Sequence, residues 1–204
     1  MPGLTAYVGL TRIAEVREGD TVFVSGAAGA VGSIAGQLAR KLGASKVIGS
    51  AGSPEKVARL TDELGYDVGL DYQAAKIGRQ LAEHAPVDVY FDNVGGDHLE
   101  AAIFAMSDFG RIAACGMIAD YNAEAPSPGP RNLMMVVSKR LSLRGFIVTD
   151  HADIAGEFYR RAGAWLADGE LAYRETFEDG LDRAVDAFLG VLAGANTGKM
   201  LVRL

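Results

Sequence analysis

Two hydrophobic periods alternate along this chain. Val22, Phe23 and Val24 form a continuous apolar run, as a parallel strand covered on both faces requires, and Val31, Ile34, Ala35, Leu38 and Leu42 then recur at helical spacing. The switch repeats downstream. Further strands are predicted at Lys46 to Ser50, Tyr66 to Tyr72, Val87 to Phe91 and Arg111 to Cys115, with a sixth starting at Leu141 and running toward Val148. Between them, Ser53 and Pro54 open a helix whose stripe is Val57, Leu60 and Leu64. A weaker helix is predicted over Ala74 to His84 and another over Gly96 to Met106. A loop holding Pro126, Pro128, Gly129 and Pro130 leads to a short helix near Leu133 to Lys139. Ahead of the first strand, Pro2 suits a first helical turn, and Leu4, Tyr7, Val8, Ile13 and Val16 make one stripe.

Alternation at this spacing predicts an α/β fold with a doubly wound parallel sheet of six strands, the Rossmann arrangement, in the order 3-2-1-4-5-6. Leu141-Ser142-Leu143-Arg144 is polar at every second residue, so the sixth strand is read as an edge. After a helix over Ala152 to Ala167 the pattern changes. A short strand through Tyr173, an amphipathic helix with Leu181, Ala184, Val185, Phe188 and Leu192, and a closing strand Met200 to Leu204 do not extend the series. The division expected is a dinucleotide-binding domain over 1–170 and a C-terminal return over 171–204.

The turn between the first strand and its helix carries the chemistry. Ala27-Ala28-Gly29-Ala30-Val31-Gly32 is a G-x-G-x-x-G fingerprint with alanine in the first place, and Gly26 beside it supplies the flexibility that alanine lacks. Free N–H groups at the helix start suit a pyrophosphate. A site for NAD usually ends its second strand on Asp or Glu, to hold the ribose 2′-hydroxyl. Here that place reads Gly49-Ser50-Ala51-Gly52-Ser53, and Lys56 follows at the next helix start. A 2′-phosphate meets no repelling carboxylate there and finds a cation nearby, so the cofactor predicted is NADP(H).

Composition narrows the field. The 204 residues are 49% apolar and 23% charged, in the range of a globular protein, and the net charge of -6 excludes a general nucleic-acid partner. With Cys115 as the single cysteine, neither an internal disulfide nor a multi-thiolate zinc site can form within the chain. No signal peptide and no membrane-length apolar run is present, which predicts a cytoplasmic location. Tyr72-Gln73-Ala74-Ala75-Lys76 matches the Tyr-x-x-x-Lys pair of short-chain dehydrogenases, but follows the third strand rather than the fifth and is set aside as coincidence. His84, His98 and His151 have no metal or triad spacing.

Taken in order, MPGLTAY, the AAGAVG turn, FDNVGG at 91–96, GRIAACGMIADYN at 110–122, GFIV at 145–148 and NTGKMLV at 196–202 resemble the zinc-independent medium-chain dehydrogenase/reductases. Within these, the chain is similar to the prostaglandin reductase, or leukotriene 12-hydroxydehydrogenase, group and its bacterial double-bond reductases. The resemblance implies that Gly29, Ala30, Val31 and Gly32 bind the pyrophosphate and that Lys56 and Tyr72 bind the 2′-phosphate. It puts Asn93 over the crevice, and Cys115, Gly116, Met117, Ile118, Ala119, Asp120 and Tyr121 with Phe146, Ile147 and Val148 along the nicotinamide and its ribose. Asn196 closes over the cofactor. Met1 stands where zinc-dependent relatives carry a ligand cysteine, which favours the metal-free branch.

The resemblance further implies a barrel-like substrate domain, absent ahead of Met1, into which the tail would fold. The activity implied is NADPH-dependent reduction of the double bond of a small-molecule enone or enal; a quinone or carbonyl reductase, or a cofactor-binding module without turnover, are the alternatives. Tyr121 is the one candidate proton donor, against water as donor and a structural loop tyrosine. A homodimer joined at the sixth strand is expected.

Overall fold

The computed structural model describes residues 1–125 and 128–204; Pro126 of the proline-rich loop lies outside the described residues. Six parallel strands, β1 (Thr21–Val24), β2 (Lys46–Ala51), β3 (Val68–Asp71), β4 (Val87–Asp92), β5 (Met106–Ala114) and β6 (Ser142–Gly145), form one sheet in the order β3-β2-β1-β4-β5-β6. This is the doubly wound order expected. Side chains of β1 alternate between two cores: Val22 and Val24 face one, Phe23 the other, and all three are fully buried. That division explains an uninterrupted apolar run better than any single-faced strand could.

The first core is capped by α1 (Pro2–Val8) with its π-helical extension to Ile13, by α2 (Gly32–Lys41), and by α7 (Ala155–Ala167). Leu4, Tyr7, Leu38 and Phe158 fill it. α3 (Pro54–Asp62) packs beside β2 and β3, with Ser53 capping its N–H groups as its type suggests: the side chain accepts from Lys56 N at 3.3 Å. On the opposite face, α4 (Ile77–Ala82), α5 (Gly96–Ala105) and α6 (Met134–Ser138) cover Phe23, Ile48, Tyr90 and Ile112. The tail adds β7 (Glu175–Asp179), α8 (Ala184–Leu192) and β8 (Lys199–Arg203), with β7 and β8 paired as a separate parallel ribbon.

Several boundaries differ from the sequence reading, each for a local reason. β6 stops at Gly145 instead of reaching Val148. Its partner β5 ends at Ala114, and beyond it the N–H groups of Cys115 and Gly116 both turn onto the Asp92 carbonyl, so Phe146 to Val148 have no strand to pair with. They lead instead into a 3-10 segment, Val148–Ile154, interrupted at His151 (φ -121, ψ 36), and α7 begins only at Ala155. Tyr173 lies before its strand rather than in it: Ala172 is clamped to α2 by Gln37, which donates to Ala172 O and accepts from Ala172 N, both at 2.8 Å. β7 therefore starts at Glu175, where Lys199 becomes available as a partner.

Candidate functional site

The glycine turn lies at the carboxyl end of the sheet, where open α/β sheets bind ligands. Gly26 carries the positive φ of the turn (+59), so Ala27 in the first fingerprint position is spared a conformation that would strain it. Ala27 is fully buried and donates its N–H to Ser50 O at 2.8 Å, tying the turn to β2. Gly32 is required for packing: a Cβ there would sit 2.4 Å from Gly26 O and 2.7 Å from Ala27 Cα, both backbone atoms. Among the described residues, the N–H groups of Ala30, Val31 and Gly32 find no acceptor in the protein, and they stand at the N-terminus of the ten-residue α2. Uncommitted donors, a positive helix end and a surface without Cβ atoms at Gly29 and Gly32 make a cradle for a diphosphate.

At the end of β2, Gly52 lets the Tyr72 ring close down: a Cβ at Gly52 would meet the Tyr72 hydroxyl at 2.5 Å. Tyr72 in turn stacks edge-on against His98, with ring centres 5.2 Å apart. Lys56, in the first turn of α3, gives its amino group to the carbonyl of Gly194 in the tail, and burial there pulls its pKa below the ordinary lysine value. The tail reaches the glycine turn as well. Gly198 N donates to Ala28 O at 2.9 Å, Gly29 and Gly198 form a parallel bridge, and Asn196 Nδ2 donates to Gly198 O at 2.7 Å. Asn196 is thus set beside the cradle by its backbone neighbour, and its amide is spent within the tail.

Asn93 follows β4. Its side chain donates to Ser25 O at 2.7 Å and its N–H to Ser25 Oγ at 3.0 Å, so it is anchored to the end of β1 next to Gly26. The segment 115–121 is divided between two hollows. One, of about 450 Å³, groups Cys115, Gly116 and Met117 with Phe146, Ile147 and Asp150. Another, of about 580 Å³, takes Ala119 and Asp120 with Gly96, His98 and Arg131. Ile118 starts the short 3-10 turn between them, and Val148 is half-buried against the first core. Tyr121 is 62% exposed, and its hydroxyl covers Gly116, where a Cβ would lie 3.3 Å away. Burial, reinforced by the negative charge of Asp92, pushes the Cys115 thiol up to about 11, so it stays protonated and unreactive near neutral pH.

Sequence reasoning missed the polar group that joins these pieces. Ser25, Tyr90 and Asp92 are all fully buried, at the ends of β1 and β4. Asp92 stood in plain view inside FDNVGG, yet only the folded chain shows its carboxylate turned inward. Proximity to Asp92, after desolvation, holds the Tyr90 hydroxyl well above its ordinary pKa, keeping it a donor.

The zinc-binding dehydrogenase family profile matches residues 30–165. Prostaglandin reductase 1 of Bos taurus is 47% identical over 208 residues, covering 100% of this chain and 62% of that protein. The NADP(+)-dependent 2-alkenal reductase of Nicotiana tabacum is 40% identical over 205 residues, covering 99% of this chain and 59% of its own length. The crystal structure of CurA in complex with NADPH from Vibrio vulnificus superposes with a TM-score of 0.94 at 42% identity, covering 100% of this chain and 62% of that one. The chain therefore spans about 60% of the length of the curated relatives it matches. Among the described residues no three His, Cys, Asp or Glu side chains are grouped to hold a metal ion. With two thirds of its length matched by that profile and its whole length aligned to these relatives, the chain belongs to the zinc-binding dehydrogenase family.

Proposed function

We propose that this chain is the NADP(H)-binding part of an oxidoreductase that reduces the carbon–carbon double bond of α,β-unsaturated ketones or aldehydes. The observation that carries the reading is the pairing of an open cradle of N–H groups at Ala30 to Gly32 with a second strand that ends without an acid and is followed by Lys56. Relatives named as a 2-alkenal reductase and a prostaglandin reductase support the substrate class. Residues 1–170 form the dinucleotide-binding domain in this reading, and 171–204 a return segment whose exposed α8 face suits a substrate domain.

Bound NADPH would supply the hydride, and the protein's part is binding, orientation and electrostatics. The α2 N-terminus holds the diphosphate, Lys56 exchanges the Gly194 carbonyl for the 2′-phosphate, and Tyr72 covers that corner. Asn93 and the hollow between Cys115 and Ile147 receive the nicotinamide end, and Asn196 lies across from the tail. As the double bond is reduced, negative charge grows on the carbonyl oxygen, and a donor aimed there lowers the barrier. The Tyr121 hydroxyl, which covers Gly116 of that hollow, is the donor in this proposal.

The protein works in the cytoplasm, in keeping with the absence, among the described residues, of any helix long and apolar enough to cross a membrane. It pairs as a homodimer through β6, whose four residues are all exposed at the sheet edge. Titration of the chain with NADPH and NADH, followed by turnover of the full-length enzyme on enones and quinones, tests the reading. Equal affinity for the two cofactors, or turnover confined to quinones, would refute it.

A further inference from the structure

A buried carboxylate needs a reason, because desolvating its charge is costly unless cations or several donors compensate. Asp92, the last residue of β4, is fully buried and accepts only from neutral groups. All of them converge on one oxygen: Oδ1 receives the Tyr90 hydroxyl at 2.6 Å, Gly95 N at 2.8 Å, Val94 N at 2.9 Å and Ser25 Oγ at 3.3 Å. Oδ2 has no partner. The main-chain carbonyl of the same residue accepts Cys115 N at 2.8 Å and Gly116 N at 3.0 Å. One residue thus fastens three chain crossings at the floor of the crevice: the end of β1 through Ser25, the turn Asn93 to Gly95, and the exit of β5.

We propose that Asp92 is a positioning residue for the dinucleotide, its Oδ1 holding the Asn93–Gly95 turn in the shape that presents Asn93 and Cys115–Gly116 to the cofactor. The inference rests on the cofactor reading above. Gly95 (φ +72) and Gly96 (φ +49) adopt left-handed conformations within and after this turn, so its path is set by glycine freedom and must be fixed by something else. The two N–H bonds to Oδ1 do that. An ionised carboxylate is acceptor-only and can take several donors at once, whereas a hydroxyl must also place its own proton.

The test is the dissociation constant for NADPH, by fluorescence titration at a temperature where circular dichroism shows each variant folded. Asp92→Ala is expected to weaken binding roughly tenfold or more, whereas Asp92→Asn, which keeps an oxygen at the Oδ1 position, stays within roughly threefold of the unmodified chain. Asp92→Ser, whose hydroxyl falls short of the turn, carries the same expectation as alanine and replaces it should alanine unfold the chain. Phe158→Leu in α7, which packs on Tyr7 and lines neither hollow, supplies a destabilised control whose affinity should not move, as any purely structural effect of Asp92 would leave it. Unchanged affinity in the Ala and Ser variants overturns the proposal, as does Asp92→Asn binding as poorly as they do. Failure of the unmodified chain to bind NADPH overturns the cofactor reading itself, and this inference with it.

Discussion

His98 makes the stability of this protein depend on pH in a way that can be worked out from its surroundings. His98 is 5% exposed; its ring lies parallel to Phe23 with ring centres 6.5 Å apart, meets Tyr72 edge-on, and leaves Nε2 without a partner among the described residues. Desolvation therefore penalises the charged ring and pulls its pKa from 6.5 down to about 4, with Asp97 acting weakly in the opposite direction. In the unfolded chain the ring protonates near pH 6.5, while in the folded chain it stays neutral until about pH 4. The contribution is thus fully present above the unfolded value and is lost as pH falls toward the folded one. Between those values each pH unit costs about 1.4 kcal/mol, which gives about 2 kcal/mol by pH 5 and a ceiling of about 3.4 kcal/mol.

His98→Phe keeps an aromatic ring on Phe23 and cannot titrate. Urea unfolding of both proteins at pH 7 and pH 5 isolates the term, because every other acid-sensitive group is common to the pair. The unmodified chain should lose about 2 kcal/mol more than the variant between the two pH values. Equal losses would refute the reasoning and mean that water or a rearranged neighbour solvates the ring.

Gly32→Ala and Gly32→Val should both abolish NADPH binding, since even one added carbon meets backbone at 2.4 Å; a folded variant that titrates normally would show that the turn is misassigned. Lys56→Ala should narrow the preference for NADPH over NADH by about 1–3 kcal/mol, the scale of a charge-assisted hydrogen bond, as read by titration with each cofactor; an undiminished preference rules the lysine out. Leu143→Pro removes a donor from the middle of β6 and should leave a monomer in light scattering; a dimer that survives it lies elsewhere, with the exposed face of α8 the next surface to probe.

The sequence by itself determined the order of the sheet, because six apolar runs separated by helical stripes leave few ways to cover both faces with right-handed crossovers. It also pointed to a glycine turn suited to a phosphate and to the missing acid after β2, since glycines and the lack of a carboxylate are visible in the letters. Gly26 as the flexible residue beside Ala27 was legible too, and its positive φ agrees; that Phe146 to Val148 leave the sheet was not, for that depends on β5 ending where Cys115 and Gly116 turn onto Asp92. The hold of Gly194 on Lys56 and of Gly198 on Ala28 joins residues more than 130 positions apart. Asp92 is the sharpest case. As a letter it reads as one more acid after a strand, most often solvated. Only the packing of β1, β4 and β5 around it removes the water and leaves its carboxylate to two neighbouring hydroxyls and two backbone N–H groups. Local patterns decide which elements form, whereas burial and long-range hydrogen bonds are properties of the assembled chain.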